Sequence, residues 1–123
     1  MKYLPLAGRI CLALIFLNAG IQHLINYPSF IATIASQGLP LPDVLGIGAI
    51  VFLLLGSLSL ILGYKSNIGA ILLILFLIPT TIVFHPIASD LSGFLKNLGL
   101  VGGLLMIIHY GSGAVSLDSL SSG

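Results

Sequence analysis

The chain has 123 residues, of which 58% are hydrophobic and 6% are charged, whereas soluble proteins average about 25% charged residues. This composition excludes an ordinary soluble protein and predicts an integral membrane protein whose residues 1–123 form a single transmembrane domain surrounded by lipid. The net charge of +1 gives no basic field for nucleic acid. The single cysteine, Cys11, allows neither a disulfide nor a cysteine metal cluster within one chain.

Four apolar stretches are long enough to cross a bilayer, which takes roughly 20 residues in a helix. They cover residues 4–25, 44–64, 68–84 and 94–110, and a polar tail follows at 111–123. We therefore predict an all-α membrane protein, an antiparallel bundle of four transmembrane helices.

The first span carries a stripe of small and amide side chains at spacings of three and four residues, namely Gly8, Cys11, Ile15, Asn18 and Gln22. Residues at this spacing share one face of a helix. We expect this face to point into the bundle, where the two amides bond to a neighbouring helix or, alternatively, contact a ligand. Arg9 is expected to extend to the nearer headgroups, with a buried counter-ion as the less favoured alternative.

The segment after the first span combines an apolar helical face with helix breakers. Phe30, Ile31 and Ile34 share a face, and glycine and prolines follow in the motif GLPLP at 38–42. The pattern predicts a short interfacial helix between spans 1 and 2. This helix is either a lid over one end of the bundle or a connector.

Pro79 lies near the end of the third span. It has no amide hydrogen for the carbonyl of Leu75, and Thr80 or Thr81 could satisfy the freed group. In the fourth span, Gly99-x-x-x-Gly103 predicts a close approach to another helix.

Basic residues set the expected orientation. Lys2, Arg9 and Lys65 lie toward one side of the membrane, and Lys96 lies toward the other. Positive residues favour the cytoplasmic side, so we expect both termini in the cytoplasm.

One group of polar side chains reaches a similar depth at the outer ends of spans 1, 3 and 4. Histidine, amide and lysine side chains inside an apolar cleft can hydrogen-bond the headgroup of a membrane-soluble ligand. His85 is the candidate for proton exchange, because imidazole titrates near neutral pH; the plainer alternative is a helix-end residue that reaches the headgroups. The candidate ligand-binding residues are Asn18, Gln22, His23, His85, Lys96 and Asn97.

Haem ligated by His23 and His85 is an alternative at the same end of the bundle. No CxxCH motif is present, so such a haem would be non-covalent. Two histidines at one depth arise easily by chance, and haem is therefore disfavoured. The chain has no glutamate and one cysteine, so no metal site is predicted.

Several short motifs occur in a fixed order along the chain: Gly8-Arg9 with FLNAG at 16–20, GLPLP at 38–42, His85-Pro86, FLKNL at 94–98 with GGLL at 102–105, and GSGAVSLD at 111–118. In these the chain resembles the DoxX family of small four-helix membrane proteins over almost its entire length. The GLPLP loop and the terminal GxGxxSLD are the most specific parts. Members often carry a glutamate in span 2 shortly before a Gly-Gly pair, whereas this chain has Phe52-Leu53 and then Gly56-Ser57.

The resemblance implies a four-helix bundle linked to quinone-dependent oxidoreduction, as in the small subunit of thiosulfate:quinone oxidoreductase, and to membrane redox assemblies. We therefore expect an integral membrane subunit of a quinone-linked redox assembly, in which the candidate residues above bind the quinone headgroup through hydrogen bonds to its carbonyls. The alternative is a non-catalytic accessory subunit that packs against a larger membrane complex or against copies of itself. Whether the chain itself catalyses a reaction stays open at this point.

Overall fold

The computed structural model describes residues 2–84 and 88–121, which form six helices and no strand. Four helices are long and apolar enough to cross a membrane. They are α1 (Leu4–Ile25), α3 (Pro42–Leu62), α4 (Ser66–Phe84) and α5 (Leu91–Tyr110), and two short helices are α2 (Tyr27–Ser36) and α6 (Leu117–Ser121). These helices confirm the predicted all-α membrane fold with a short helix between the first two spans.

Local sequence signals explain where the helices begin and end. Proline occupies the first turn of α1, α2 and α3, where its missing amide hydrogen costs nothing. Gly63 ends α3 in the left-handed conformation, with φ of 68°, which glycine adopts without strain. Asp90 begins α5 by accepting a hydrogen bond of 3.0 Å from the amide of Gly93, the usual role of an N-cap.

The long helices pack in the order α1, α3, α4, α5, and α1 and α5 barely touch each other. The bundle is therefore open along one seam. We call the end that carries the α3–α4 turn and the C-terminal tail the terminal end, and the end that carries α2 the distal end.

Glycines allow α3 and α4 to approach closely. A methyl group at Gly56 would lie 2.6 Å from the side chain of Leu73 and 3.0 Å from the carbonyl oxygen of Gly69. In lipid, such close packing replaces the hydrophobic drive between helices. The buried side chains on either side of this contact include Leu53, Leu60, Leu73 and Leu77.

The face of α1 that points into the bundle is not the predicted one. All five residues of the predicted stripe are exposed, and the buried face consists of Arg9, Ala13, Phe16 and Gly20. The prediction that the stripe points inward is wrong, because α1 packs on α3 with its other side and the seam toward α5 is open.

Arg9 is also placed differently from our expectation of headgroup contact. Its side chain is 2% exposed, and Nη1 donates a hydrogen bond of 2.8 Å to the carbonyl of Leu60. Carbonyls in the last turn of a helix lack intrahelical donors and carry partial negative charge. The end of α3 therefore binds the guanidinium inside the bundle.

The C-terminal tail folds back onto the same end of α3. The backbone amide of Asp118 donates to the carbonyl of Gly63 over 2.9 Å. The Asp118 carboxylate accepts hydrogen bonds from the amide of Lys65, at 2.7 Å, and from the hydroxyl of Ser112, at 2.8 Å. The Ser112 hydroxyl also hydrogen-bonds that of Ser66, the first residue of α4. The motif GSGAVSLD thus ties the tail to the turn between α3 and α4.

Candidate functional site

A cavity of about 890 Å³ lies in the distal half of the protein, between the end of α1, α2, α3 and α4. Among the described residues, no charged side chain lines it. Four of the six phenylalanines of the chain line the cavity, namely Phe30, Phe52, Phe76 and Phe84. Apolar walls with a few polar groups are typical of small-molecule sites.

The polar groups of the cavity wall come mainly from α1 and α2. Some of these groups already bond to the backbone: Asn26 donates to the carbonyl of Gln22 over 3.2 Å, and Thr33 donates to that of Ser29 over 2.9 Å. With other described residues, the side chains of Gln22, His23 and Thr80 form no hydrogen bond, although all three line the cavity. These three groups can bind a ligand, and so can the Ser29 hydroxyl, which also lines the cavity and forms no hydrogen bond with another described residue.

The helix α2 covers one side of the cavity and is held there by specific contacts. The rings of His23 and Phe30 stack with centroids 3.9 Å apart and planes inclined by 12°. The Tyr27 hydroxyl donates a hydrogen bond of 3.2 Å to Asp43 in the first turn of α3. Desolvation and the hydrogen bond to the Asp43 carboxylate raise the pKa of Tyr27, so the phenol stays protonated and keeps donating. The stack fixes the imidazole at the cavity wall.

The helix α4 forms the fourth side of the cavity and has a proline within it, Pro79. Leu75 and Pro79 both line the cavity and lie one helical turn apart. Pro79 cannot donate to the Leu75 carbonyl. Our expectation was that Thr80 or Thr81 would do so; among the described residues neither does, and the Thr81 hydroxyl instead accepts from Asn97.

The structure brings together only part of the predicted set of site residues. Gln22 and His23 line the cavity, but Asn18 does not and is exposed. His85 lies outside the described residues. Its proposed role in proton exchange and the alternative of haem ligation with His23 therefore stay predictions.

No described residue of α5 lines the cavity. Lys96 is exposed. Asn97 is buried, and its amide donates a hydrogen bond of 3.0 Å to the Thr81 hydroxyl. Asn97 therefore joins α5 to α4 and is not part of the cavity lining.

The sequence reasoning missed the wall that α4 contributes. Phe76, Thr80 and Phe84 recur every four residues and line the cavity together. This spacing places them on one face of a helix, and that periodicity was the available signal. Among the described residues, no group of three or more histidine, cysteine or acidic side chains is arranged to hold a metal ion.

A second cavity, of about 570 Å³, lies at the terminal end in the seam between α1 and α5. Its walls are almost entirely apolar and include Gly8, Leu12, Gly103 and Ile107. Arg9 borders it but directs its hydrogen bonds to the carbonyls of Leu60 and Val115. It offers fewer polar groups to a ligand than the distal cavity.

Comparisons with known proteins agree with this architecture. The DoxX family model matches residues 4–86. The chain is 28% identical to Inner membrane protein YphA of Escherichia coli K12, over 94% of this chain and 88% of YphA. It is equally similar, at 28%, to Inner membrane protein YqjF of the same organism, over 94% of this chain and 89% of YqjF.

A eukaryotic protein is also similar. The chain is 31% identical to the Surfeit locus protein 4 homolog of Drosophila melanogaster, and the match covers 95% of this chain but 40% of that longer protein. No solved structure matches the chain. Since the family match covers more than half of the chain and the four long helices are those of a membrane protein, this chain is an integral membrane protein of the DoxX family.

Proposed function

We propose that this chain binds a quinone in the distal cavity and serves as the membrane subunit of a quinone-linked redox assembly. The observation that carries the proposal is a phenylalanine-rich cavity whose described lining has no charged side chain and includes Gln22, His23 and Thr80, whose side chains form no hydrogen bond with another described residue. A quinone is a flat, neutral ring with two acceptor oxygens and an apolar tail, and this cavity offers partners for each part.

The absence of charged side chains from the described lining favours a neutral lipid over an anionic one. An anionic headgroup would lose its water without gaining a cationic partner, which is costly in a site of low dielectric. A neutral quinone loses little hydration free energy when it enters the same site. Its carbonyls can accept hydrogen bonds from the Gln22 amide, the His23 imidazole or the Thr80 hydroxyl.

Among the described residues, His23 is the one best placed for the proton chemistry. Reduction of a quinone takes up two electrons and two protons, and a histidine can exchange protons near neutral pH. The chain has one cysteine and so no dithiol of its own. We propose that a partner protein supplies the electrons, which makes this chain a subunit of an assembly.

The proposed orientation has both termini in the cytoplasm. The exposed side chains of Lys2 and Lys65 lie at the terminal end, and positive residues favour the cytoplasmic side. The distal cavity then opens in the outer leaflet. The names of YphA and YqjF support placement in an inner membrane.

Quinone binding by the purified protein in lipid nanodiscs tests the proposal. We expect His23→Ala or Gln22→Ala to weaken binding of a short-tailed quinone by about five- to a hundredfold, because each removes one donor worth about 1–3 kcal/mol in a dry site. His109→Ala is the matched control, since His109 is exposed at the opposite end of the bundle. Equal affinities for all variants would overturn the proposal.

A second candidate function rests on glycines of α1 and α5 that the rest of the described chain leaves uncovered. A methyl group placed on Gly8, Gly99 or Gly102 would meet nothing within 4 Å. Such faces allow a helix of another protein to approach closely, which fits a non-catalytic accessory subunit in a larger complex or a homo-oligomer. Loss of a stoichiometric partner on Gly102→Leu, with no quinone bound to either protein, would favour this function.

A further inference from the structure

We infer that Phe30 is a positioning residue, which acts on the bound ligand by setting the orientation of the His23 imidazole. The inference rests on the proposed quinone function and specifies how that site is adjusted. Because Phe30 belongs to α2 and His23 to α1, the seating of α2 on α3 controls a ligand-binding group on another helix.

The first step concerns the contacts of the His23 imidazole. It lies nearly parallel to the Phe30 ring, with centroids 3.9 Å apart and planes inclined by 12°. Neither imidazole nitrogen forms a hydrogen bond with another described residue. A stacked ring covers one face of an imidazole and leaves its edge, where both nitrogens lie, available for hydrogen bonds. Within the described chain, the ring is therefore oriented by stacking.

The second step concerns what holds Phe30 in place. A methyl group at Gly46 of α3 would lie 2.3 Å from Cδ1 of Ile31 and 3.5 Å from Cε2 of Phe30. The bare backbone at Gly46 thus lets α2 approach α3 closely. On the same helix, Ile34 is 4% exposed, and Tyr27 donates to Asp43. These contacts seat α2 on α3, and the stack transmits that placement to His23.

The third step separates positioning from apolar contact. Phe30 and Phe52 both line the distal cavity, but among the described residues only Phe30 stacks on His23. Loss of either ring removes part of the apolar wall, whereas loss of Phe30 also frees the imidazole. Phe52→Leu is therefore the matched control for Phe30→Leu, and Phe30→Tyr is the conservative variant that keeps the stacked ring.

Nuclear magnetic resonance of the full chain in nanodiscs tests the orientation of the imidazole. The protein carries isotope-labelled histidine, and the His23 signals are those that His23→Ala removes. Protons above the face of an aromatic ring are shifted upfield by its ring current. We expect this shift for His23 in the wild type, in Phe30→Tyr and in Phe52→Leu, and its loss in Phe30→Leu.

Binding of a short-tailed quinone to the same variants tests the consequence for the site. We expect Phe30→Leu to weaken binding about two- to tenfold more than Phe52→Leu, which is the range for one aromatic pair. Phe30→Tyr should bind like the wild type. In the His23→Ala background, Phe30→Leu should weaken binding no more than Phe52→Leu does, because the group that Phe30 positions is gone.

The outcomes separate this inference from the proposed function. Unchanged His23 signals in Phe30→Leu would overturn the inference, and so would equal quinone affinities of Phe30→Leu and Phe52→Leu. An extra loss with Phe30→Leu that persists in the His23→Ala background would overturn it as well. Quinone binding that depends on His23 would still support the proposed function in each of these cases. Failure of the wild type to bind quinone would overturn both.

Discussion

The Nη2 atom of Arg9 donates a hydrogen bond of 2.5 Å to the carbonyl of Val115, which lies 106 positions further along the chain. Its Nη1 atom bonds to the carbonyls of Leu60, at 2.8 Å, and Ile61, at 3.4 Å. A single guanidinium thereby joins the first span, the end of α3 and the C-terminal tail. The polar tail is consequently part of the folded bundle.

Arg9→Leu should destabilise the protein strongly. The substitution removes the donor from three carbonyls, and each buried carbonyl left unpaired costs about 1–3 kcal/mol. The stability of Arg9→Lys should lie between those of the wild type and Arg9→Leu, because an ammonium group keeps the charge but cannot reproduce the planar fork of donors. Thermal unfolding in detergent measures the effect. The exposed residue Lys96 provides the control, since Lys96→Leu is expected to stay within about 0.5 kcal/mol; similar losses at both positions would contradict the assigned role of Arg9.

The Asp118 carboxylate should make the stability depend on pH. Hydrogen bonds from the Lys65 amide and from Ser112, together with the charge of Arg9, lower the pKa of Asp118 below its ordinary value of 3.8. A carboxyl group with a lowered folded-state pKa stabilises the fold fully above its unfolded pKa, and the contribution is lost as the pH falls through the lower folded value.

Asp118→Asn tests this linkage because it removes the titration and keeps the size of the side chain. Unfolding temperatures measured from about pH 6 down to about pH 3 should fall more steeply for the wild type than for Asp118→Asn. Parallel curves for the two proteins would show that the tail carboxylate is not linked to folding.

The hydrogen bond between Asn97 and Thr81 should contribute measurably to the packing of α5 on α4. A double-mutant cycle with Asn97→Ala and Thr81→Val is expected to give a coupling energy of about 0.6 kcal/mol, with an upper bound of about 1.7, as for polar pairs in other membrane bundles. Additive effects of the two substitutions would argue against the bond. Lys96→Ala with Thr81→Val supplies the uncoupled comparison on the same helix.

Close packing between α3 and α4 should make Gly56 intolerant of a methyl group. Gly56→Ala would force the side chain of Leu73 and the backbone at Gly69 apart, at a cost of about 1–3 kcal/mol. Gly48→Ala on the same helix meets nothing within 4 Å and should leave the unfolding temperature nearly unchanged. Equal sensitivity at both positions would mean that this contact does not limit the approach of the helices.

Hydropathy and helix-breaking residues were sufficient to predict the four long helices. The prolines and glycines between them determine where the chain turns, which is a local property. The structure begins α3 at Pro42 and α4 at Ser66, each two residues before the apolar run. A helix includes its polar first turn, whereas a hydropathy pattern does not.

The rotation of each helix was harder to predict than its depth. Lys96 and Asn97 are neighbours in sequence and lie at the same depth, yet about 100° separates them around the helix axis. One is exposed, and the other is buried against Thr81. The sequence did contain one signal for rotation: a charged residue inside a span is expected to face the bundle interior. Applied to Arg9, this rule selects the face that also carries Ala13, Phe16 and Gly20.

Photoaffinity labelling with an azidoquinone tests the central claim most directly, because it reports where a quinone binds. After illumination of the protein in nanodiscs, mass spectrometry should find adducts on α2 and on the distal half of α4, in residues 26–34 and 75–84. An excess of unlabelled quinone should suppress these adducts, and His23→Ala should reduce them. Labelling confined to the seam between α1 and α5, or labelling that excess quinone does not suppress, would contradict quinone binding in the distal cavity.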